Sequence, residues 1–200
     1  PGSGLWFDLG AHLVDQAVQL FGAPDDILVD VANQREGAVV NDYFHAQLRY
    51  PTRHPGLRVL LHASALVPAV GPRFVVHGTK GSFVKYGLDV QEDALKAGAR
   101  PHLDRPDDMA IWGKDPQVGT LTIHRKAWTQ TSAAPDVHGN YLAYYAQLRD
   151  HLRDHLTGQA SAPAVTPEQV LQDMQLLELG QQSALKGRFV PIPGPAPVPL

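Results

Sequence analysis

Two carboxylates and an imidazole lie close together near the start of the chain. In the segment GSGLWFDLGAHLVD, Gly2 to Asp15, Asp8 and His12 are four residues apart. In a helix beginning near Asp8 they face the same side, and Asp15 and Gln19 extend that polar stripe. A carboxylate beside an imidazole favours the charged ring, orients it and fixes its tautomer. Such a histidine can take the proton of an alcohol while hydride leaves the carbinol carbon, and return it in the reverse direction. The glycine-rich approach, Gly2-Ser3-Gly4, and the aromatic pair Trp6-Phe7, suited to walling a cleft, favour that reading. The same stripe also describes the wet face of an ordinary amphipathic helix, and spacing alone does not separate the two.

Other constellations carry less. Gly78-Thr79-Lys80-Gly81-Ser82 has the composition of a phosphate loop but the wrong spacing, and its place between strand-like segments makes it a hairpin turn. His151 and His155 are four apart, a spacing that chelates a metal on a helix, but no third ligand is evident. The repeated Arg149-Asp150 and Arg153-Asp154 pairs describe a solvated, charge-paired face, so no metal is expected. Lys85-Tyr86 fits either a substrate pocket or a strand-end pair at a subunit contact. Tyr141, Tyr144 and Tyr145 read mainly as packing residues, with Tyr141 the best placed of them for a cleft.

These residues need elements to hold them. Leu13, Ala17 and Leu20, flanked by Val14, Val18 and Phe21, predict a helix from about Gly10 to Phe21, with Asp8 at the N-cap or in the first turn and Gly22 as the stop. Strand-like runs follow at Ile27–Asn33, Tyr43–Tyr50, Arg58–Leu66, Arg73–His77 and Ser82–Tyr86, separated by turn signals. A short helix is predicted over Gln91–Ala97, then a polar, proline-rich excursion from Gly98 to about Gly119, then strands near Thr120–His124 and Trp128–Thr131. Two long helices close the pattern. The first has Asn140 as cap and a stripe of Tyr141, Tyr145, Leu148, Leu152 and Leu156; the second opens on the capping box Thr166-Pro167-Glu168-Gln169 and ends at Lys186-Gly187. Residues 191–200 hold five prolines and read as an extended or mobile tail.

The totals bound what this assembly can be. Two hundred residues, 44% hydrophobic and 18% charged, suit a globular chain with a real core. A formal charge of -3 gives no general pull toward nucleic acid or anionic membrane. The absence of cysteine removes disulfides, thiolate nucleophiles and zinc-thiolate sites, and with no secretory segment it fits the cytoplasm. No apolar run approaches the roughly 20 residues of a membrane helix. The opening Pro1-Gly2-Ser3-Gly4 fits a chain that begins inside a longer gene product.

Three motifs in order give a resemblance. Asp8-Leu9-Gly10-Ala11-His12-Leu13-Val14-Asp15 is similar to the DxxxHxxD segment of Gfo/Idh/MocA oxidoreductases. The runs RFVVHGTKGSFVKYGLDVQEDALKAG, Arg73 to Gly98, and Gly139-Asn140-Tyr141-Leu142-Ala143-Tyr144-Tyr145 resemble the subgroup containing NADP-dependent scyllo-inositol dehydrogenases. The resemblance spans about Gly2 to Phe189. It implies a catalytic role for His12 with Asp8 beside it, places the Pro68-to-Arg73 turn near substrate, and makes Arg73 a donor to substrate hydroxyls or, alternatively, a structural ion pair. Tyr141 and Asp15 join Arg73 as substrate-binding candidates.

The resemblance also implies a two-domain enzyme in which an N-terminal Rossmann domain holds NADP or NAD and contributes a lysine from a Glu-Lys-Pro motif. This chain has neither that motif nor a GxGxxG unit, so no cofactor-binding residue is assigned in it. It is expected to be inactive without the N-terminal domain, which would be its partner. The expected fold is α+β: an open, predominantly antiparallel sheet with helices on one face, residues 1–190 forming a C-terminal substrate-binding and oligomerisation domain. The open sheet face is expected to build a homo-oligomer. The expected function is hydride transfer between a polyol, cyclitol or sugar hydroxyl and the nicotinamide. Two alternatives stand beside it, a non-catalytic stand-alone binding or dimerisation domain and an aldose or anhydro-sugar reductase of the same family.

Overall fold

A computed structural model describes residues 2–125, 128–133, 140–159 and 161–193. In the first helix, α1 (Leu5–Phe21), Trp6, Gly10, Val14 and Ala17 are the buried positions, spaced three or four residues apart as one face of a helix requires. The helix starts a full turn before the Gly10 expected from its apolar pattern, so Asp8 lies inside its first turn. Strands β1 (Asp26–Ala32), β2 (Tyr43–Arg49) and β3 (Arg58–Ser64) follow, then β4 (Phe74–Gly78) and β5 (Gly81–Lys85). Helices α2 (Gln91–Lys96) and α3 (Pro106–Ile111) precede β6 (Thr120–Arg125) and β7 (Trp128–Ala133). Helices α4 (Tyr141–Leu156) and α5 (Pro167–Lys186) lead to a two-residue strand, β8 (Val190–Pro191). α3 falls within the stretch expected to be an irregular excursion; its proline at the first turn is the local signal for it.

The α+β class and the antiparallel pairing both hold, with the strands shared between two four-stranded sheets of order β3-β2-β1-β8 and β4-β5-β6-β7. They belong to two compact units, Pro1–Pro68 with Val165–Leu200, and Ala69–Ala164.

The first unit holds the main core. In β2, Phe44, Ala46 and Leu48 are buried and alternate with half-buried Tyr43, His45, Gln47 and Arg49, the period-two pattern of a sheet covered on one side. α1 and α5 supply the cover. Trp6 is 1% exposed, meets Phe44 edge to face at 5.2 Å between centroids, and donates its indole N–H to the Leu177 carbonyl of α5 at 2.9 Å. Gly180 makes room for that ring: a Cβ there would lie 2.3 Å from the indole. Each such large apolar side chain contributes roughly 1.5–3 kcal/mol on burial. Ser183, also fully buried, accepts from Val29 N at 3.0 Å and donates to the Arg188 carbonyl at 2.7 Å. It therefore satisfies β1 where β8, paired only at Asp26 and Ile27, no longer reaches. The start of the expected tail is thus sheet, with Ile192 N donating to the Asp25 carbonyl; residues 194–200 lie outside those described.

In the second unit, Gly78 pairs with Gly81, so the glycine-rich segment is the expected hairpin turn. The strands there carry no fully buried residue, and the buried side chains are Leu142 and Gln91. Among the described residues no helix is long and apolar enough to cross a membrane.

Candidate active-site residues

α1 presents the acid/base candidates. Asp8 and His12 stand one turn apart, both exposed, and neither side chain has a hydrogen-bond or ion-pair partner among the described residues. An exposed imidazole is available to a substrate, and an exposed carboxylate stands one turn away. Asp15 is exposed as well and accepts from Gln19 Nε2 at 3.3 Å, closing the expected polar stripe.

The cap that holds this stripe in place comes from outside the helix. Gly4 has φ 93° and supplies no side chain to the cap. The orphan N–H groups of Leu5 and Trp6 are taken by the carbonyl of Asn41 at 2.8 Å and by its Oδ1 at 2.9 Å. A Cβ at Gly4 would lie 2.6 Å from the Asn41 amide, so only glycine combines that backbone with that neighbour. Asn41 is in turn delivered by its buried neighbour Asp42, which accepts from Gln34 N at 2.6 Å, Arg35 N at 3.1 Å and Arg35 Nε at 2.8 Å. The Gln34 N–H, then Arg35, hold the Asp42 carboxyl down at about 2.

α5 adds a residue that the sequence reading missed. Burial, together with the charge of Asp15 and a hydrogen bond shared with it, pushes the Asp173 carboxyl up to about 6. Its Oδ1 is buried with no other partner, as a carboxyl that keeps its proton near a second carboxylate would be. No periodicity marks this residue, because what singles it out is its distance from Asp15.

Trp6 and Phe7 do line a cleft, with Val31, Asn41, Gln181, Ala184 and Leu185, but it is small, about 130 Å³. Trp6 serves mainly as the core anchor described above.

The second unit brings Arg73 and Tyr141 to one carboxylate, Asp89. Gln91, 3% exposed, donates its backbone N–H and its Nε2 to Asp89 Oδ1 at 3.2 and 2.8 Å, while its Oε1 accepts from Tyr141 N at 2.8 Å. The Tyr141 hydroxyl interacts with the same carboxylate, which lifts the phenol above its ordinary range. Burial raises Asp89, but Gln91, Tyr141 and the Arg73 charge outweigh it and leave the carboxyl below the usual range. Lys85, the other cation considered, is paired with Asp115 within this unit. His151 contacts Ser161 Oγ at 3.0 Å, and Arg153 pairs with Asp150 and Asp154 at 3.0 and 3.1 Å on the exposed face of α4.

The C-terminal alpha/beta domain of the Gfo/Idh/MocA oxidoreductase family matches residues 1–192. The chain belongs to that family. It is 47% identical over 184 residues to the uncharacterised oxidoreductase YdgJ of Escherichia coli, covering 92% of this chain and 49% of YdgJ. It is 38% identical over 190 residues to the scyllo-inositol 2-dehydrogenase (NADP(+)) IolW of Bacillus subtilis, covering 94% and 49%. The solved structure of yvaA from Bacillus subtilis superposes with a TM-score of 0.84 at 36% identity, over 96% of this chain and 52% of that one. YPO2259 from Yersinia pestis gives 0.83 at 41%, over 98% and 52%. This member of the family therefore spans about half the length of the curated relatives it matches.

Proposed function

We propose that this chain is the substrate-side domain, residues 1–190, of an NAD(P)-dependent dehydrogenase or reductase acting on a hydroxyl of a polyol, cyclitol or sugar. The observation that carries the reading is His12: an exposed imidazole one turn from an exposed carboxylate, on a family member's first helix. The scyllo-inositol activity named for IolW supports the substrate class.

The described residues do not fit a dinucleotide. Every strand pairing is antiparallel, whereas a dinucleotide fold needs parallel strands joined through a glycine-rich turn and a helix. Hydride chemistry would belong to a cofactor held elsewhere in the whole protein, and what this chain contributes is proton handling and positioning. His12 takes the hydroxyl proton in oxidation and returns it in reduction; Asp8 stabilises the imidazolium by its charge. Asp15, Arg73 and Tyr141 are assigned to substrate contact. The outward face of the first sheet, where Leu60 is 60% exposed, is assigned to homo-oligomer formation.

Steady-state kinetics of the whole protein against polyols, cyclitols and aldoses, with NADP and NAD in turn, test the reading. Turnover of a polyol or sugar with either nucleotide supports it. No turnover of any of them would favour a binding domain without catalysis.

A further inference from the structure

The cluster around Asp89 has hydrogen-bonding capacity that the described residues do not use. Two donors reach the Asp89 carboxylate, the Gln91 N–H at 3.2 Å and the Gln91 amide at 2.8 Å, and the Tyr141 hydroxyl interacts with it. A carboxylate offers about four acceptor directions, and a phenol that donates keeps its own oxygen lone pairs. Arg73 acts on Asp89 through charge alone; no described residue accepts a hydrogen bond from its guanidinium, which lies over the Phe74 ring at 5.6 Å. Its five N–H donors are therefore open. All three groups reach solvent, with Tyr141 45% exposed, while the residue that holds two of them, Gln91, is buried and bonded at both ends of its amide. A buried amide fully committed to fixing an exposed carboxylate and the first turn of α4 is a preorganised arrangement. Exposed Tyr144 and Tyr145, in edge contact at 5.7 Å, continue the aromatic surface along the same helix.

We propose that Asp89, Tyr141 and Arg73 form a subsite for a vicinal diol, with Asp89 accepting from one hydroxyl while its neighbour donates to the Tyr141 oxygen and accepts from the Arg73 guanidinium. A diol is the ligand class because each of its hydroxyls both donates and accepts, and adjacent ones match an acceptor and a donor side by side. A monocarboxylate would meet the Asp89 charge, and a simple amine would meet Arg73. The subsite rests on the polyol or sugar reading above and adds to it a discriminating residue, Asp89.

The test is a titration of the 15N-labelled 200-residue chain with scyllo-inositol, followed by NMR, alongside Asp89→Asn, Tyr141→Phe, Arg73→Ala and Arg73→Lys. Asp89→Asn keeps the oxygen that accepts from Gln91 and removes the charge; Tyr141→Phe keeps the ring. The expected result is saturable shifts at the amides of Asp89, Gln91 and Tyr141. Affinity should fall about tenfold in Asp89→Asn and Tyr141→Phe, the size of losing one charge-assisted hydrogen bond. Arg73→Lys should retain part of the affinity that Arg73→Ala loses. If Asp89→Asn does not fold, as judged by its thermal melt, Tyr141→Phe decides alone. Saturable binding that is unchanged in folded variants overturns the subsite and leaves the polyol reading standing. No binding to the unaltered chain overturns the subsite, while the polyol or sugar reading is decided by turnover in the whole protein.

Discussion

The backbone N–H of Trp6 donates to Asn41 Oδ1 at 2.9 Å, across 35 positions of sequence. This bond joins the first turn of α1 to the connection between β1 and β2, and so couples the helix that bears Asp8 and His12 to the sheet beneath it. An N-cap supplied by another segment fixes where the helix starts and thereby which way its later side chains face.

Replacing Asn41 by alanine should therefore lower stability by about 1 kcal/mol, the usual value of a lost helix cap, and lower Tm by roughly 2–4 °C. Thermal circular dichroism reads this directly. A melting curve superimposable on the parent would mean that water serves the Trp6 N–H equally well, the Leu5 N–H keeping its backbone acceptor.

Gly180→Ala should be more damaging than an ordinary surface glycine replacement. The new methyl would fall 2.3 Å from the Trp6 indole and 3.1 Å from Val29, so ring or helix must move. Overpacking of this kind costs about 1–3 kcal/mol. Tryptophan emission should shift as the indole loses its buried setting, and a stable, spectrally unaltered variant would contradict the packing described.

In the whole protein, His12→Ala should reduce kcat by about a hundredfold or more with modest change in KM, as loss of a general acid/base does. Asp8→Asn should reduce it less, because the proposed role of Asp8 is to support the ring by its charge rather than to transfer the proton. Unchanged turnover in His12→Ala would remove that residue from the mechanism.

Asp173 sets a pH dependence whose sign follows from its raised pKa. The group binds its proton more tightly in the folded chain, about 6, than at its ordinary value of 3.8. Its contribution to stability is complete below about pH 3.8 and is lost as pH rises through about 6. Asp173→Asn, which cannot ionise beside Asp15, should be more stable than the parent at pH 7 and gain little near pH 4. Urea titrations at the two pH values measure this. Asp42 acts oppositely and in another window, since its stability is lost only as pH falls from 3.8 through about 2. Equal effects of Asp173→Asn at pH 4 and pH 7 would show that the Asp173 carboxyl is not raised in the folded chain.

The outward face of the first sheet should support self-association. Light scattering is expected to give a dimer or larger species, and Leu60→Glu should shift it toward monomer. A parent chain that remains monomeric at high concentration would argue against that face as an interface.

Local order was readable in the sequence because it depends on neighbours. The capping box at Thr166 and Gln169 closes within a single turn, and both of its hydrogen bonds are present. The Gly78–Gly81 hairpin and the alternation along β2 likewise follow from residues next to one another. The DxxxHxxD spacing put Asp8 and His12 on one helix for the same reason. The true start of α1 was not readable, since its cap is Asn41 and no pattern within Leu5–Phe21 announces a donor that far away.

Two further carboxylates, one in each unit, have the same origin. Asp173 matters because α5 brings it to Asp15, and Asp89 matters because Gln91 and Tyr141, 50 positions apart, are bonded around it. The chain by itself determined most of its helices, its hairpin, its strand alternation and the one-turn spacing of Asp8 and His12, all of which arise from contacts within a turn or a pair of adjacent strands. Only the tertiary structure decided which carboxyls are raised, which are lowered and which helix is capped from a distance. Those properties depend on separations in space between residues whose order along the chain carries no repeating signal.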